Sequence, residues 1–125
     1  MRIAIIGAPR AGKTTLALQL AHDTRLPVVH TDDLAGLGWS AASAEVVRLL
    51  APPAELIVEG VAVVRALRKA LGEAPGVPVE RCIVLARPRV WLTRGQLAMA
   101  RGCATVLKQI ERELERRGVS MEYRT

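Results

Sequence analysis

Apolar residues fall along this chain in short blocks separated by glycine, proline and charged residues, and the blocks alternate between two periods. "RIAII" is a continuous apolar run that stops at Gly7, the form of a buried strand feeding a tight turn. The next block, "KTTLALQLAHD", sets Leu16 and Leu20 with the small Ala17 and Ala21 at helical spacing, which predicts a helix over residues 13–23. "LPVVH" reads as a second strand entered through Pro27, followed by "TDDLAGLGWS" as a glycine-containing loop. Ser40 or Ser43 is placed to cap a helix over "AEVVRLL" that Pro52 and Pro53 terminate.

The alternation continues to the end. "ELIVEG" predicts a third strand, "VAVVRALRKAL" a third helix closed by Gly72, "EAPGVPVE" a turn-rich connection and "RCIVLA" a fourth strand. Pro88 can open a helix, and Thr93 with Gln96 three residues on forms a capping box that starts a fresh turn. A last helix follows over "ATVLKQIERELERR", with Leu107, Ile110 and Leu114 on one face and Gly118 as its stop. "VSMEYR" alternates Val119, Met121 and Tyr123 against Ser120, Glu122 and Arg124, which predicts a half-buried edge strand. Five strands alternating with helices imply an α/β fold with a mainly parallel sheet, helices on both faces and right-handed crossovers.

Composition narrows the picture. At 125 residues the chain has the size of a single domain, residues 1–125. Half of it is apolar but it lacks Phe, so the core is expected from Val, Leu, Ile and Ala. No apolar run approaches the roughly 20 residues that span a bilayer, and the first residues lack a signal-peptide layout, so the expectation is a cytoplasmic protein without a membrane partner. Cys82, inside "CIVLA", reads as a small core hydrophobe, and two isolated cysteines make neither a disulfide framework nor a zinc site. His22 and His30 have no ligand partner at metal spacing and read as helix surface and strand end.

Charge is uneven. Residues 1–80 carry eight basic and eight acidic side chains, whereas residues 81–125 carry ten basic and four acidic, so the net +6 lies in the last third. In "KQIERELERR", Glu113 and Arg117 stand four apart and can pair on a helix surface. "ARPRVWLTRGQLAMARG", with arginines at 87, 89, 94 and 101 and no acid, needs another explanation.

The segment "GAPRAGKTT", residues 7–15, supplies one. Gly7, Gly12, Lys13 and Thr14 stand in the order GxxxxGK(S/T), after a strand and at the start of a helix. A glycine-rich turn in that setting aims successive backbone N–H groups of Gly7, Ala8, Pro9, Arg10, Ala11, Gly12, Lys13, Thr14 and Thr15 (Pro9 excepted, lacking the hydrogen) into one cavity at the positive end of a helix. Lys13 adds a charge over the β and γ phosphates of a nucleotide, and the Thr14 hydroxyl can ligate the Mg2+ they carry. ATP and magnesium are therefore the expected cofactors. A regulatory GTPase would need (N/T)KxD, but there is no Asn and none of the three lysines sits in TKxD; "DLAG" at residues 33–36 imitates DxxG by coincidence. A motor ATPase would need a longer core and a strand ending in Asp, whereas here the strand ends in Glu59.

The loop "GAPRAGKT", the acidic pair "TDD" after the second strand and an arginine-bearing segment after the fourth together resemble the P-loop small-molecule kinases, such as nucleoside monophosphate, shikimate and gluconate kinases. More loosely, "LTRGQLAMARG" is similar to small ATPase or kinase-like proteins of bacteriophages. The resemblance implies phosphoryl transfer from Mg-ATP to a small hydroxyl-bearing or anionic acceptor. One of Asp32 and Asp33 would then orient or deprotonate the acceptor and the other hold magnesium through water, Asp32 being the metal candidate. Glu59 is a second acceptor-side candidate, and Arg10 in the loop can reach phosphate. Arg94 and Arg101, two helical turns and roughly 10 Å apart, would bridge the transferred group and grip an anionic acceptor. Two rival readings are a regulatory ATPase with slow hydrolysis and a nucleic-acid end kinase, the latter suggested by the basic last third. The scarcity of aromatic residues for base stacking argues against nucleic acid as a partner.

Overall fold

The computed structural model describes residues 1–124, with the side chain of Ala35 also outside the description. Five strands, β1 (Arg2–Gly7), β2 (Val28–His30), β3 (Leu56–Glu59), β4 (Arg81–Leu85) and β5 (Ser120–Arg124), form one sheet in the order β2-β3-β1-β4-β5. Every adjacent pair is parallel, so the sheet is parallel throughout. Helices α1 (Lys13–Thr24), α2 (Trp39–Leu49), α3 (Val63–Glu73) and α4 (Arg94–Arg116) make the connections.

Strand order and crossover handedness together fix which face each helix covers. The step from β1 to β2 runs one way along the sheet, and the steps to β3, β4 and β5 all run the other way. Right-handed crossovers therefore place α1 on one face and the remaining three helices on the opposite face. The packing follows this division. Ile3, Ile5, Ile57 and Ile83 meet Ala17, Leu16 and Leu20 of α1. Ala4, Ile6, Val58, Cys82 and Val84 meet Val46, Leu67, Cys103, Ile110 and Leu114 of the other three. Successive strand residues point to opposite faces, and because both faces are covered the central strands are apolar at nearly every position. Cys82 is one of these core residues, and burial pushes its thiol up to about 12.

Arginines tie together the end of the molecule where the strands begin and the helices finish. Arg2 donates to the carbonyls of Leu50 and Val77 and pairs with Glu80, whose carboxyl it holds below the usual range mainly by that hydrogen bonding. Arg117 pairs with Glu113, as the four-residue spacing predicts, and also donates to the carbonyls of Leu71, Ala74 and Gly76, closing the end of α3. Hydrogen bonds from Arg116 and Arg117 hold the Glu113 carboxyl at about 2.

Several element boundaries differ from expectation. The loop after β2 winds into a 3-10 helix over Thr31–Leu37. α2 starts at Trp39 with Gly38 as its cap, and Ser43 is buried inside it. α3 runs through Gly72 to Glu73, because a glycine in a helix interior lowers stability without breaking hydrogen bonds. No helix opens at Pro88; instead Thr93 and Gln96 form the capping box and α4 continues unbroken to Arg116. β5 is the expected edge strand, but Tyr123 is exposed and Glu122 half-buried against Arg81.

Two glycine substitutions separate close approach from helix propensity. A Cβ on Gly7 would lie 2.0 Å from the Leu85 carbonyl oxygen, at φ +157°. Gly7→Ala should lower the unfolding free energy by about 2 kcal/mol or more. A Cβ on Gly72 meets nothing within 4 Å, so Gly72→Ala should raise it by up to about 1 kcal/mol. Urea unfolding midpoints read both.

Candidate functional site

The turn after β1 is shaped by three backbone positions. Gly7 lets β1 pass against β4, where the Ala8 N–H donates to the Leu85 carbonyl. Arg10 (φ 62°) and Gly12 (φ 93°) adopt left-handed conformations that curl the loop back on itself. No side chain caps α1, so the N–H groups of its first turn face the cavity. The resulting cleft, about 570 Å3, is lined by loop residues Pro9, Arg10, Gly12, Lys13, Thr14 and Thr15. Beyond the loop it is bounded by Asp32, Glu59 and Val61 on one side and by Arg89, Val90, Gln96 and Met99 on the other.

Lys13 is 8% exposed. Its ammonium donates to the carbonyls of Ala8 (2.7 Å) and Gly7 (3.3 Å). Desolvation lowers its pKa from the ordinary lysine value, while the nearby charges of Glu59 and Asp32 act in the opposite direction. Such a lysine places a positive charge at the foot of the cleft, where phosphate oxygens can replace its carbonyl partners.

Glu59 ends β3 with 3% exposure. One of its carboxylate oxygens accepts from the Thr14 hydroxyl at 3.3 Å and lies 2.6 Å from Nδ1 of His30. β2 and β3 pair His30 opposite Glu59, and β1 and β3 pair Ile5 opposite Glu59, so the carboxylate sits beside the phosphate loop because of sheet register. His30 thus belongs to the site, although its lack of metal-spaced partners gave no sequence signal for it. The 3-10 helix after His30 separates the two aspartates: both are exposed, but Asp32 lines the cleft and Asp33 does not.

The arginines differ from the helix-spacing expectation. Arg94 and Arg101 are exposed on α4 and neither lines the cleft. Arg89 does. Its backbone N–H donates to the Arg10 carbonyl at 2.9 Å, and its guanidinium lies over Gly12, 3.0 Å from where a Cβ there would stand. Arg89 occupies the irregular stretch between β4 and α4, where no periodicity announces which way a side chain turns. On the first turns of α4, Gln96, expected only as a capping residue, and Met99, which carried no sequence signal, also line the cleft.

The donor set suits a phosphate-bound cation better than a bare one. Among the described residues no group of three or more His, Cys, Asp or Glu side chains is arranged to hold a metal ion. Thr14 and Asp32 border the same cleft as the loop N–H groups, so a magnesium ion carried by phosphates would meet the Thr14 hydroxyl with carboxylates close by. No helix among the described residues is long and apolar enough to cross a membrane.

A scan against protein-family models finds no match, and a search of the curated proteins finds none. Among solved structures the chain is similar to shikimate kinase from Acinetobacter baumannii in complex with shikimate. The TM-score is 0.61 with 14% sequence identity, over 99% of this chain and 83% of that one. That likeness shows the fold: a P-loop α/β fold with a five-stranded parallel sheet.

The arginine geometry has a direct test. Arg89→Lys removes the planar guanidinium over Gly12, and binding of a fluorescent ATP analogue should weaken by about tenfold or more. Arg94→Lys, outside the cleft, should change it less than about twofold. Titration of both variants against the parent decides whether the cleft arginine is Arg89.

Proposed function

We propose that this protein transfers the terminal phosphoryl group of Mg-ATP to a small hydroxyl-bearing acceptor. The observation that carries the reading is the shared cleft: the buried Lys13, the uncapped start of α1 and Arg89 supply positive potential on one side, and Asp32 and Glu59 supply carboxylates on the other. Phosphoryl transfer needs positioned positive charge around the transferred group and a carboxylate to take or orient the acceptor proton.

In this reading the loop N–H groups of residues 7–15 and Lys13 bind the β and γ phosphates. Arg10 and Arg89 approach from the open side. A second recess of about 420 Å3, sharing Gly12, Thr15 and Arg89 with the cleft and lined also by Gln19, Arg87 and Arg124, takes the nucleoside half. Magnesium, held through Thr14 with Asp32 through water, would offset charge on the phosphate oxygens. The acceptor oxygen bonds to the γ phosphorus as the bond to the departing ADP oxygen breaks, and the acceptor proton passes to Asp32. Glu59 holds the Thr14 hydroxyl in place and is itself fixed by His30. Asp33, Arg94 and Arg101, outside the cleft, have no part in this step. With these assignments the protein acts as a P-loop kinase on soluble substrates, in keeping with a cytoplasmic location.

Incubation with ATP, magnesium and a panel of shikimate, sugars, nucleosides and oligonucleotides tests the reading. ADP should appear together with a phosphorylated acceptor of low molecular mass. Lys13→Met should abolish binding of an ATP analogue and lower the thermal midpoint, since it leaves the buried Glu59 carboxylate without its opposing charge. Asp32→Asn should lower turnover by about 100-fold with little change in ATP affinity. ADP release that no acceptor accelerates would favour a slow regulatory ATPase, and phosphate transfer to oligonucleotide ends would favour an end kinase.

A further inference from the structure

Resting on the phosphoryl-transfer reading, we infer that the acceptor is a small uncharged alcohol with an apolar body, held in a recess behind Asp32. That recess has a volume of about 170 Å3 and shares Asp32 and Val61 with the phosphate cleft. A molecule seated in it therefore has one end at the mouth of the cleft, beside the carboxylate. The remaining wall is the indole of Trp39 with Thr31, Gly38, Ala42 and Ala62.

Three observations set the chemistry of the occupant. The first is size. A volume of about 170 Å3 lies below the roughly 300 Å3 at which drug-sized ligand pockets begin, so it suits a small molecule better than a whole nucleoside. The second is the apolar lining. Trp39, Ala42, Val61 and Ala62 supply hydrocarbon surface, and the Thr31 hydroxyl oxygen, shielded from solvent and packed against Gly60, offers no donor to an occupant.

The third is charge. Asp32 is the one ionisable side chain in the wall, and no cation lines it. Arg65, the guanidinium beside Trp39, lies over the indole at 5.3 Å from the ring centroid and contributes nothing to the lining. An anionic acceptor would meet the carboxylate of Asp32 without a compensating charge, which disfavours it relative to a neutral one. The apolar alanine and indole surface instead suits hydrocarbon. In the reaction, the alcohol O–H gives its proton to Asp32, its oxygen bonds to the γ phosphorus, and ADP leaves with the electron pair of the broken bond.

Binding can be read apart from catalysis. Trp91 is fully exposed and does not line the recess, so Trp91→Phe leaves Trp39 as the reporting indole. Titration of that variant, with magnesium and a non-hydrolysable ATP analogue, would use cyclohexanol, 4-hydroxycyclohexanecarboxylate and adenosine as probes. Cyclohexanol should give a saturable change in Trp39 emission, the carboxylate should bind at least tenfold more weakly, and adenosine should leave this signal unmoved.

Adding Asp32→Asn should bring the carboxylate to within about threefold of cyclohexanol, because the unopposed charge in the wall is gone. A carboxylate that binds the Trp91→Phe variant as tightly as the alcohol, or a preference for the alcohol that Asp32→Asn leaves in place, overturns the inference. If the alcohol binds as described but no ADP forms with the parent enzyme, phosphoryl transfer falls while the neutral-ligand recess stands.

Discussion

The ammonium of Lys13 and the carboxylate of Glu59 are both withdrawn from water at the carboxyl end of the sheet, at 8% and 3% exposure. Each would carry a desolvation penalty of several kcal/mol alone. Burial depresses the lysine pKa, and the largest influence opposing that depression is Glu59. The rest of the site is arranged around this mutual dependence. Lys13 also needs the carbonyls of Gly7 and Ala8, which turn toward it because the loop curls through left-handed Arg10 and Gly12. Glu59 also needs donors, and the pairing of β3 with β2 delivers His30 while the start of α1 delivers Thr14. Two buried charges thus demand a particular loop conformation and a particular sheet register.

Topology explains why those charges meet where they do. α1 covers one face, and the helices that follow β3 and β4, the neighbours of β1, cover the other. The backbone therefore parts at the tip of β1, and a crevice forms where the winding reverses. Parallel strands all present their carboxyl ends there, so the phosphate loop, Glu59 and the Arg89 segment converge although they lie far apart in the chain. Close packing at this point leaves little tolerance. A Cβ on Gly60 would stand 1.9 Å from the Thr31 hydroxyl, at φ +133°, so the strand carrying Glu59 can pass the buried threonine only as glycine.

Local signals made most of the fold legible. The first four strands are compact apolar runs and β5 alternates, and the capping box at Thr93 and the stop at Gly118 are satisfied by neighbours within a few residues. Errors arose where tertiary contacts decide. Serines 40 and 43 have the chemistry of caps, but Gly38 takes that place and Ser43 is buried within α2. The phosphate loop was readable because its spacing encodes its own geometry. Arg94 and Arg101 share a helical spacing, yet spacing tells only that two residues share a face and not which way the face looks. Arg89 was hidden for the complementary reason: a backbone bond to Arg10, 79 positions away in sequence, aims it. His30 and Thr31 become meaningful only through the end of β3, where Glu59 meets His30 and Gly60, the next residue, meets Thr31.

The basic excess in the last third has a mixed destination. Arg116 and Arg117 pair with Glu113, and Arg81 and Arg124 pair with Glu122, so four of its ten cations support α4 and the sheet edge. Arg87, Arg89 and Arg124 border the recesses on either side of Gly12, beside the phosphate loop. A polyanion surface would need the charge spread along a continuous track with aromatic platforms for bases, and the aromatic residues here are instead dispersed: Trp39 on the recess behind Asp32, Trp91 on the loop before α4 and Tyr123 on the edge strand, bonded to Glu111. Positive charge gathered at one loop and a small, largely apolar recess one carboxylate away divide the site by chemistry. One side is suited to phosphates and the other to a molecule that carries none.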